Sequence, residues 1–278
     1  MDRNRGGPMW IQMLLGKRDI LTPYFKFKKE IRGNLESLIL EEIFRLRYEV
    51  YCLECQFLPS DNFQNGLEID EYDCCSTHFA AFTQDDMLIG AVRLVQPGHN
   101  QVYPFENHCA VFDGYVMPPK EQAGEASRLV IKKSYRRRRG DSVEGIPQEF
   151  SEKGQASSIK PHSGGKRRDG NSPMLLLGMY REMFRYSKQN GIHWWYAAME
   201  LPLVQSLEKL GFLFVPIGPQ SDYFGPVTPF ILNLDEVHQR LREKNKFLAA
   251  WFNDEAIPLS TLVQVLADKL WRKFFKKK

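Results

Sequence analysis

The first strongly patterned stretch of the chain carries apolar side chains at helical spacing. Five of them lie three or four positions apart: Leu35, Ile39, Ile43, Leu46 and Val50. This spacing places them on one face of an α-helix, and Asn34 in front of them belongs to the residue types that favour the N-cap. We therefore predict a helix over 35–53 that buries one face.

Shorter runs rich in β-branched and aromatic residues follow, and they are typical of strands. They are residues 77–83, 87–95, 125–131, 192–199, 212–215 and 230–234. Gln84-Asp85-Asp86 separates the first two runs and predicts a hairpin. Ser172-Pro173 predicts the start of a second helix by its capping residue and first-turn proline, and 201–210 predicts a third. This alternation indicates a mixed α/β domain around a central sheet.

Residues 140–172 break the pattern. They include six Gly, six Ser and two Pro among 33 residues, with five positive and five negative charges. Such a segment has too few apolar side chains to bury a core of its own. We interpret it as a flexible insertion between a strand and a helix.

The last twenty residues have a different pattern. One helical stripe is apolar: Leu259, Leu262, Val263, Leu266, Leu270 and Phe274. Lys and Arg lie on the other side toward the end, so we predict an amphipathic helix with a basic tip over 259–278. This helix either packs on the domain or makes peripheral contact with an anionic membrane, where each basic residue contributes about 1 kcal/mol.

Composition narrows the class of protein. The chain has 278 residues, of which 43% are apolar and 13% aromatic, enough for one large core and incompatible with disorder throughout. Mean hydropathy is −0.41, and no apolar run reaches about 18 residues, so we expect no membrane-spanning helix. The five cysteines are an odd number in a chain without a recognisable signal peptide, which favours a reducing, cytoplasmic compartment.

The cysteines allow two interpretations. Cys52-x-x-Cys55 and the pair Cys74-Cys75 supply four thiols, the number that a structural zinc site uses. Adjacent cysteines do not easily reach one tetrahedral ion, however. We therefore predict buried or incidental thiols and no metal.

The net charge of +4 hides two dense basic clusters. The first is Lys132, Lys133, Arg136, Arg137, Arg138 and Arg139, and the second is Lys269, Arg272, Lys273, Lys276, Lys277 and Lys278. Such clusters attract phosphates, acidic proteins or anionic lipids. A solvated loop and tail is the alternative.

Three arginines and four carboxylates fall at the ends of successive predicted elements. They are Arg47, Arg93 and Arg128, with Glu68, Asp70, Asp73 and Glu125. Because charges are costly to bury unless they are paired, we predict an ion-pair network that lines a cleft. A purely structural network that fixes loops to the sheet is the alternative.

At these residues the chain resembles a known family. Arg47-Tyr-Glu-Val-Tyr51-Cys, Glu68-Ile-Asp70-Glu-Tyr-Asp73, the Arg93 motif and Glu125-Ala-Ser-Arg128 occur in the order found in acyl-homoserine-lactone autoinducer synthases. The details are more similar to N-acyl amino acid synthases, and among these to the acyltransferases associated with bacterial PEP-CTERM/exosortase systems. The resemblance spans about residues 35–235.

The resemblance implies a fold like that of the GCN5-related N-acetyltransferases (GNAT): an α/β (α+β) domain with a central, mixed, mostly antiparallel sheet flanked by helices. It implies an acyltransferase that uses an acyl thioester to acylate an amine. The expected organisation is an N-terminal arm over 1–34, a GNAT-like domain over 35–245 interrupted by the insertion, and a C-terminal segment over 246–278.

The resemblance also implies roles for single residues. We expect catalysis from Glu125 as general base and from Arg128, which holds Glu125 or an acidic loop residue. Substrate-binding positions are Arg47, Tyr51, Phe57, Asp70, Asp73, Arg93, Leu129, Val130 and Ile131. The last three lie along the thioester, where a main-chain N–H stabilises the oxyanion.

Two departures from the family narrow the substrates. Phe57 stands where autoinducer synthases usually carry Trp, which disfavours S-adenosylmethionine and favours an ordinary amino acid. The stretch Tyr135-Arg136-Arg137-Arg138-Arg139-Gly140 lacks a glycine-rich diphosphate cradle. The first basic cluster therefore suits docking of acidic acyl carrier protein better than coenzyme A, and no nucleic-acid module accompanies it.

Aromatic residues and histidines complete the candidates. Trp194-Trp195-Tyr196 and Tyr223-Phe224-Gly225 either line an acyl tunnel or belong to ordinary core, and we interpret His78 and His193 as core histidines. The sequence thus predicts a cytoplasmic N-acyltransferase, or one peripheral to the inner membrane face, that moves a fatty acyl group from acyl carrier protein to an amino acid, with no bound cofactor. The alternatives are an acyl-homoserine-lactone synthase using S-adenosylmethionine, or a noncatalytic carrier-binding or membrane-binding module.

Overall fold

The computed structural model describes residues 25–30, 37–63, 65–136, 172–223, 225–244 and 246–255. The predicted insertion, apart from Ser172, and the predicted terminal helix over 259–278 lie outside these ranges. So do Arg137, Arg138 and Arg139 of the first basic cluster.

Eight strands form the sheet. They are β1 Lys26–Glu30, β2 Ser76–Phe82, β3 Leu88–Val95, β4 Ala123–Ile131, β5 Trp194–Met199, β6 Phe214–Pro216, β7 Ser221–Asp222 and β8 Pro226–Asn233. Their order is β1-β2-β3-β4-β5-β8-β6, with β7 paired to β8. Only the β4–β5 pair among these strands is parallel. The predicted mixed, mostly antiparallel sheet is confirmed.

Helices cover both faces of the sheet. They are α1 Leu38–Tyr48, which continues as a π-helical turn over Glu49–Glu54, then α2 Ser172–Gln189, α3 Leu201–Leu210, α4 Leu234–Lys244 and α5 Lys246–Phe252. The side chains of α1 pack on Ala80, Ala91 and Val130, whereas α2 to α5 contribute to the larger core on the opposite face. Within the described ranges, none of the helices is long and apolar enough to cross a membrane.

A loop over 96–122 covers the rest of the α1 face. Its buried rings Tyr103 and Phe105 pack against Tyr196 and Ile231 of the neighbouring strands. The α1 face therefore carries two apolar clusters, one under α1 and one under this loop. The charged residues lie between them.

The sheet opens between β4 and β5. The two strands pair only from Ala123 to Glu125 and from Trp194 to Tyr196. Beyond that point β4 stays with β3 and β5 stays with β8. A shift in the β3–β4 register accompanies the separation, and Arg128 there has a φ of 52°, which is unusual for a residue with a Cβ. A bulge in β4 thus lies directly beside the opening.

Most sequence-predicted elements are confirmed, but helix α4 and strand β7 were not predicted, and three further segments differ. The predicted helix over 35–53 is an α-helix only to Tyr48, and a π-helical turn follows. The N-terminal arm contains strand β1, whose three lysines hide any apolar alternation and which forms by pairing with β2. In the C-terminal segment, α5 buries Trp251 and Phe252 in the main core.

Candidate active site

Arg47 projects from α1 into the interior and binds two carboxylates. Its Nη1 and Nη2 donate to Asp73 Oδ1 at 2.6 Å and Oδ2 at 3.1 Å, and its Nε donates to Glu68. All three side chains are only 1% exposed. Such a bidentate pair is strong and directional, so it fixes the acidic loop, residues 68–73, to α1.

Arg93 of β3 binds the other side of the same loop. Its Nη1 and Nη2 donate to the two oxygens of Asp70 at 2.5 and 2.7 Å, and Nη1 also donates to Asp73 at 2.8 Å. Its Nε donates to Ser127 Oγ at 3.0 Å. Burial alone would raise the pKa of Asp73, but Arg47 and Arg93 outweigh it and hold that pKa well below its usual value. Both arginines therefore face ionised carboxylates.

Arg128 closes the network from β4. Its Nε donates to Glu68 at 3.1 Å and its Nη2 to Asp70 at 2.9 Å, while its guanidinium carbon lies 5.6 Å from the ring centre of Tyr51. Three guanidinium groups thus face three of the four carboxylates predicted for the network, while Glu125, the fourth, forms no ion pair among the described residues. Arg128 holds acidic loop residues, one of the two roles expected for it.

Hydrogen bonds from main-chain N–H groups also shape the acidic loop. The Asp70 N–H donates to Asp73 Oδ2 at 2.8 Å and the Tyr72 N–H to Asp70 Oδ1 at 2.9 Å. The Glu68 N–H donates to the carbonyl of Phe44 in α1 at 3.1 Å. Short-range bonds of this kind position the carboxylates for the arginines.

Glu125 stands apart from the ion pairs. It is 3% exposed, its Oε2 accepts the Phe105 N–H at 2.9 Å, and its Oε1 has no hydrogen-bond partner among the described residues. Burial raises the pKa of Glu125 to about 8, although the Phe105 N–H and the charges of Arg93 and Arg128 oppose the rise. A buried carboxyl that exchanges its proton near neutral pH is suited to general acid–base chemistry.

The bulged part of β4 is held by the π-helical turn. The Tyr51 hydroxyl donates to the Leu129 carbonyl at 3.1 Å, and burial raises the pKa of Tyr51 to about 12, so the hydroxyl stays protonated. Phe57 lies beside Tyr51 with ring centres 6.3 Å apart. Val130 and Ile131 are buried and pair with Ala91 and Gly90 of β3. These predicted substrate-binding residues therefore share one region, next to the opening.

The described members of the first basic cluster follow β4. Lys133 is exposed and Lys132 half-buried. Arg136 makes contacts within the protein: its Nη1 lies 2.7 Å from Glu54 Oε2 and its Nε donates to the Ile131 carbonyl. The two lysines are the cations of this group with freer side chains.

Several site neighbours were not predicted from the sequence. Ser127 binds Arg93, and the Phe105 donor is a main-chain group that no side-chain pattern can reveal.

His78 is buried 3.6 Å from Asp73 Oδ1, and burial lowers its pKa to about 3, so it is a neutral core histidine. His193 is instead 44% exposed and contacts Asp235 at 2.7 Å, so its assignment to the core was wrong: it precedes the buried part of β5.

The cysteines and aromatic runs have ordinary surroundings. All five cysteines are free, and in the described ranges no group of His, Cys, Asp and Glu is arranged to hold a metal ion. Trp195 is core, with its Nε1 donating to Ser187 Oγ at 2.8 Å. Tyr196, which pairs with Glu125 across the two strands, packs against Tyr103 and Phe105 with ring centres 4.9 and 5.2 Å apart.

Comparison with known proteins agrees with this architecture. Residues 46–144 match the family model described as "Acetyltransferase (GNAT) domain". No curated protein sequence matches the chain. The predicted GNAT-like fold is thereby confirmed, and the domain match supports an acyltransferase.

Solved structures share the fold at low identity. TofI, solved with an inhibitor and MTA, is 13% identical, with 80% of this chain and 99% of that chain covered and a TM-score of 0.53. The acyl-homoserine-lactone (AHL) synthase LasI is 15% identical, with coverages of 79% and 94% and a TM-score of 0.53. BjaI, a CoA-dependent acyl-homoserine lactone synthase solved with SAM and isopentyl-CoA, is 17% identical, with coverages of 87% and 99% and a TM-score of 0.56.

Proposed function

We propose that this protein transfers a fatty acyl group from acyl carrier protein to the α-amine of an amino acid, as an N-acyl amino acid synthase does. The observation that carries the proposal is Glu125. Its carboxyl is buried, stands outside the ion-pair network and lies where β4 and β5 separate. A thioester placed along the opening would meet an acceptor amine beside this carboxyl.

The chemistry requires one proton to be removed before attack. Ionised Glu125 accepts a proton from the acceptor ammonium, and the neutral amine nitrogen then attacks the thioester carbonyl carbon. A C–N bond forms and the C–S bond breaks. One of the two protons left on the amine goes to the departing thiol, the other stays on the amide nitrogen, and Glu125 then releases its proton to solvent. Because burial raises the pKa of Glu125 to about 8, proton transfer from the acceptor ammonium is much less unfavourable than transfer to an ordinary carboxylate, whose pKa is about 4.

The other site residues receive supporting roles in this proposal. Arg47, Asp70, Asp73 and Arg93 order the acceptor side, and Tyr51 with Phe57 forms its apolar wall. Leu129, Val130 and Ile131 supply main-chain donors to the thioester oxygen as charge develops there. The proposed domain runs over 35–245, as the family resemblance implies, in a bacterial cytoplasmic enzyme of the PEP-CTERM/exosortase-associated type.

The donor is proposed to be acyl carrier protein because basic residues follow β4. Lys132 and Lys133 extend from the strand along which the thioester would lie, and such charges attract a strongly acidic carrier. Lys133→Glu should raise KM for the carrier thioester at low salt and much less at high salt. Lys209→Glu, an exposed lysine on α3, is the matched control. An unchanged KM for Lys133→Glu at low salt would argue against docking here.

An acyl-homoserine-lactone synthase is the second candidate, because LasI and BjaI share the fold. Phe57 in place of Trp speaks against it. Supplying S-adenosylmethionine in place of amino acids separates the two functions, since a lactone product would favour this candidate. Acyl-CoA is included as a donor because BjaI was solved with isopentyl-CoA.

The decisive assay mixes purified protein with acyl-carrier thioesters of several chain lengths and pooled amino acids, and follows thiol release and product mass.

Parent kcat/KM should rise with pH up to about 8, where Glu125 becomes ionised. Glu125→Gln should lose at least about 100-fold in kcat, while Glu121→Gln, a 62% exposed carboxylate, should match the parent. Thioester binding without amine-dependent thiol release from the parent would instead support a noncatalytic carrier-binding module.

A further inference from the structure

The three buried arginines differ in how completely the protein uses them. Every nitrogen of the Arg47 and Arg93 guanidinium groups donates to a carboxylate or to Ser127. Arg128 uses Nε and Nη2 on Glu68 and Asp70. Its Nη1 makes no hydrogen bond to any residue that the structure describes. One two-proton donor of the network is therefore left over.

The Arg128 side chain, which carries this unused donor, is also the most accessible of the three. Arg128 is 17% exposed, whereas Arg47 and Arg93 are 1% exposed. The ring of Tyr51 lies against its guanidinium. The rings of His108 and Tyr223 stack with their centres 3.8 Å apart and an interplanar angle of 10°. Burial lowers the pKa of His108, and the charge of Arg128 adds to this effect.

The bulge in β4 brings Arg128 to the same face as Glu125. In regular strand geometry, residues three positions apart point to opposite faces. Here Ser127 and Arg128 both reach the face of Arg93, since Ser127 binds Arg93 and Arg128 shares Asp70 with it. Glu125, two residues before Ser127, lies on that face as well. A proton acceptor and a free guanidinium donor thus adjoin one space.

We propose that Arg128 Nη1 binds the carboxylate of the acceptor, so that the acceptor class is α-amino acids and not simple amines. This inference rests on the proposed function. An α-amino acid carries its ammonium and its carboxylate on one carbon, which suits an acidic and a basic side chain that share a face. It is also neutral overall, so its binding leaves the balanced network of three arginines and three carboxylates undisturbed.

The test compares each amino acid with its methyl ester and its decarboxylated amine as acceptors for the parent protein. The free acid should have a kcat/KM about 10- to 100-fold higher, the loss expected when a charge-assisted hydrogen bond is removed. Equal use of acids, esters and amines overturns the inference and leaves the acyltransferase standing. Acylation of none of them counts against the proposed function itself.

Variants then assign the preference to Arg128. In Arg128→Lys and Arg128→Gln the ratio of acid to ester kcat/KM should fall toward one, whereas Arg45→Gln, an exposed α1 arginine, should keep the parental ratio. A general loss of activity, caused by losing the bonds of Arg128 to Glu68 and Asp70, lowers kcat/KM for acid and ester alike. The ratio within each variant therefore reports only on recognition of the acceptor carboxylate. A ratio that persists in both variants overturns the assignment.

A crystal structure of the parent protein tests the inference even if both variants fail to fold. The parent protein is crystallised with the N-dodecanoyl derivative of the best amino acid acceptor from the pooled assay. A carboxylate within hydrogen-bond distance of Arg128 Nη1 supports the inference. A carboxylate bound elsewhere overturns it.

Discussion

The Tyr51 hydroxyl donates a hydrogen bond to the Leu129 carbonyl at 3.1 Å, joining two irregular segments. Tyr51 lies in the π-helical turn Glu49–Glu54 that extends α1, and Leu129 follows the positive-φ residue Arg128 in β4. Each irregularity costs local stability on its own. The bond fixes the main chain of β4 where the proposed thioester oxygen would find its donors.

Tyr51→Phe removes only this bond, so it should lower the free energy of unfolding by about 1 kcal/mol and lower kcat more than it raises KM. Tyr48→Phe is the matched control, because the Tyr48 ring packs on Phe63 with centres 6.4 Å apart and its hydroxyl has no hydrogen bond within the described ranges. Steady-state kinetics with urea unfolding checks both. An unchanged kcat in Tyr51→Phe would show that the bulge keeps its geometry without the bond.

Glu125 makes a pH-dependent contribution to stability. Its pKa is raised on folding to about 8, so the folded protein holds this proton while the unfolded chain has released it. That contribution is full below the unfolded pKa, near 4.5, and is lost as pH rises through about 8.

Glu125→Gln cannot ionise and keeps an oxygen that accepts the Phe105 N–H. It should therefore be more stable than the parent at pH 8 by roughly 4 kcal/mol, with the difference falling below about 1 kcal/mol at pH 5. Thermal and urea unfolding across this pH range measures it. A stability difference independent of pH would mean that the Glu125 pKa is not shifted.

Arg47 is the central partner of two buried carboxylates. Arg47→Met would leave Glu68 and Asp73 buried with too little positive charge, which should cost about 3 to 5 kcal/mol of unfolding free energy. Arg45→Met, two positions earlier, only breaks an exposed pair with Glu41 and should cost no more than about 0.5 kcal/mol. Urea unfolding at pH 7 distinguishes them, and similar losses in both variants would contradict the central role of Arg47.

Gly218 supports the loop that holds Glu125. A Cβ at Gly218 would lie 1.9 Å from the carbonyl oxygen of Ala110, and the same loop carries the Phe105 N–H. Gly218→Ala should therefore destabilise the fold by about 1 to 3 kcal/mol and reduce acyl transfer by displacing that donor. Gly98→Ala, whose Cβ would come no closer than 3.7 Å to a neighbouring atom, serves as control. Full activity in Gly218→Ala would show that the Phe105 donor does not depend on this contact.

Local signals made much of the fold predictable. The hairpin β2–β3 and helix α3 lie within a residue or so of their predicted limits, because alternation, capping and turn residues act over a few positions. Strand β1 and the π-helical turn have no such local signal. Strand β1 exists because β2 offers an edge to pair with. The π-helical turn contains Tyr51, whose hydroxyl donates to the Leu129 carbonyl 78 positions away.

The sequence by itself indicated that arginines and carboxylates at element ends would be brought together, since they must pair to be buried, but it counted Glu125 among the paired carboxylates. Only the tertiary structure decided the pairing. Arg128 meets Glu68 across 60 positions, Arg47 meets Asp73 across 26, and Glu125 meets a main-chain N–H instead of an arginine. Ion-pair energies and burial depend on distances in space, and these are fixed by the strand order and by the bulge in β4. The division into one closed ion-pair network, one separate titrating carboxyl and one free guanidinium donor is therefore a property of the fold.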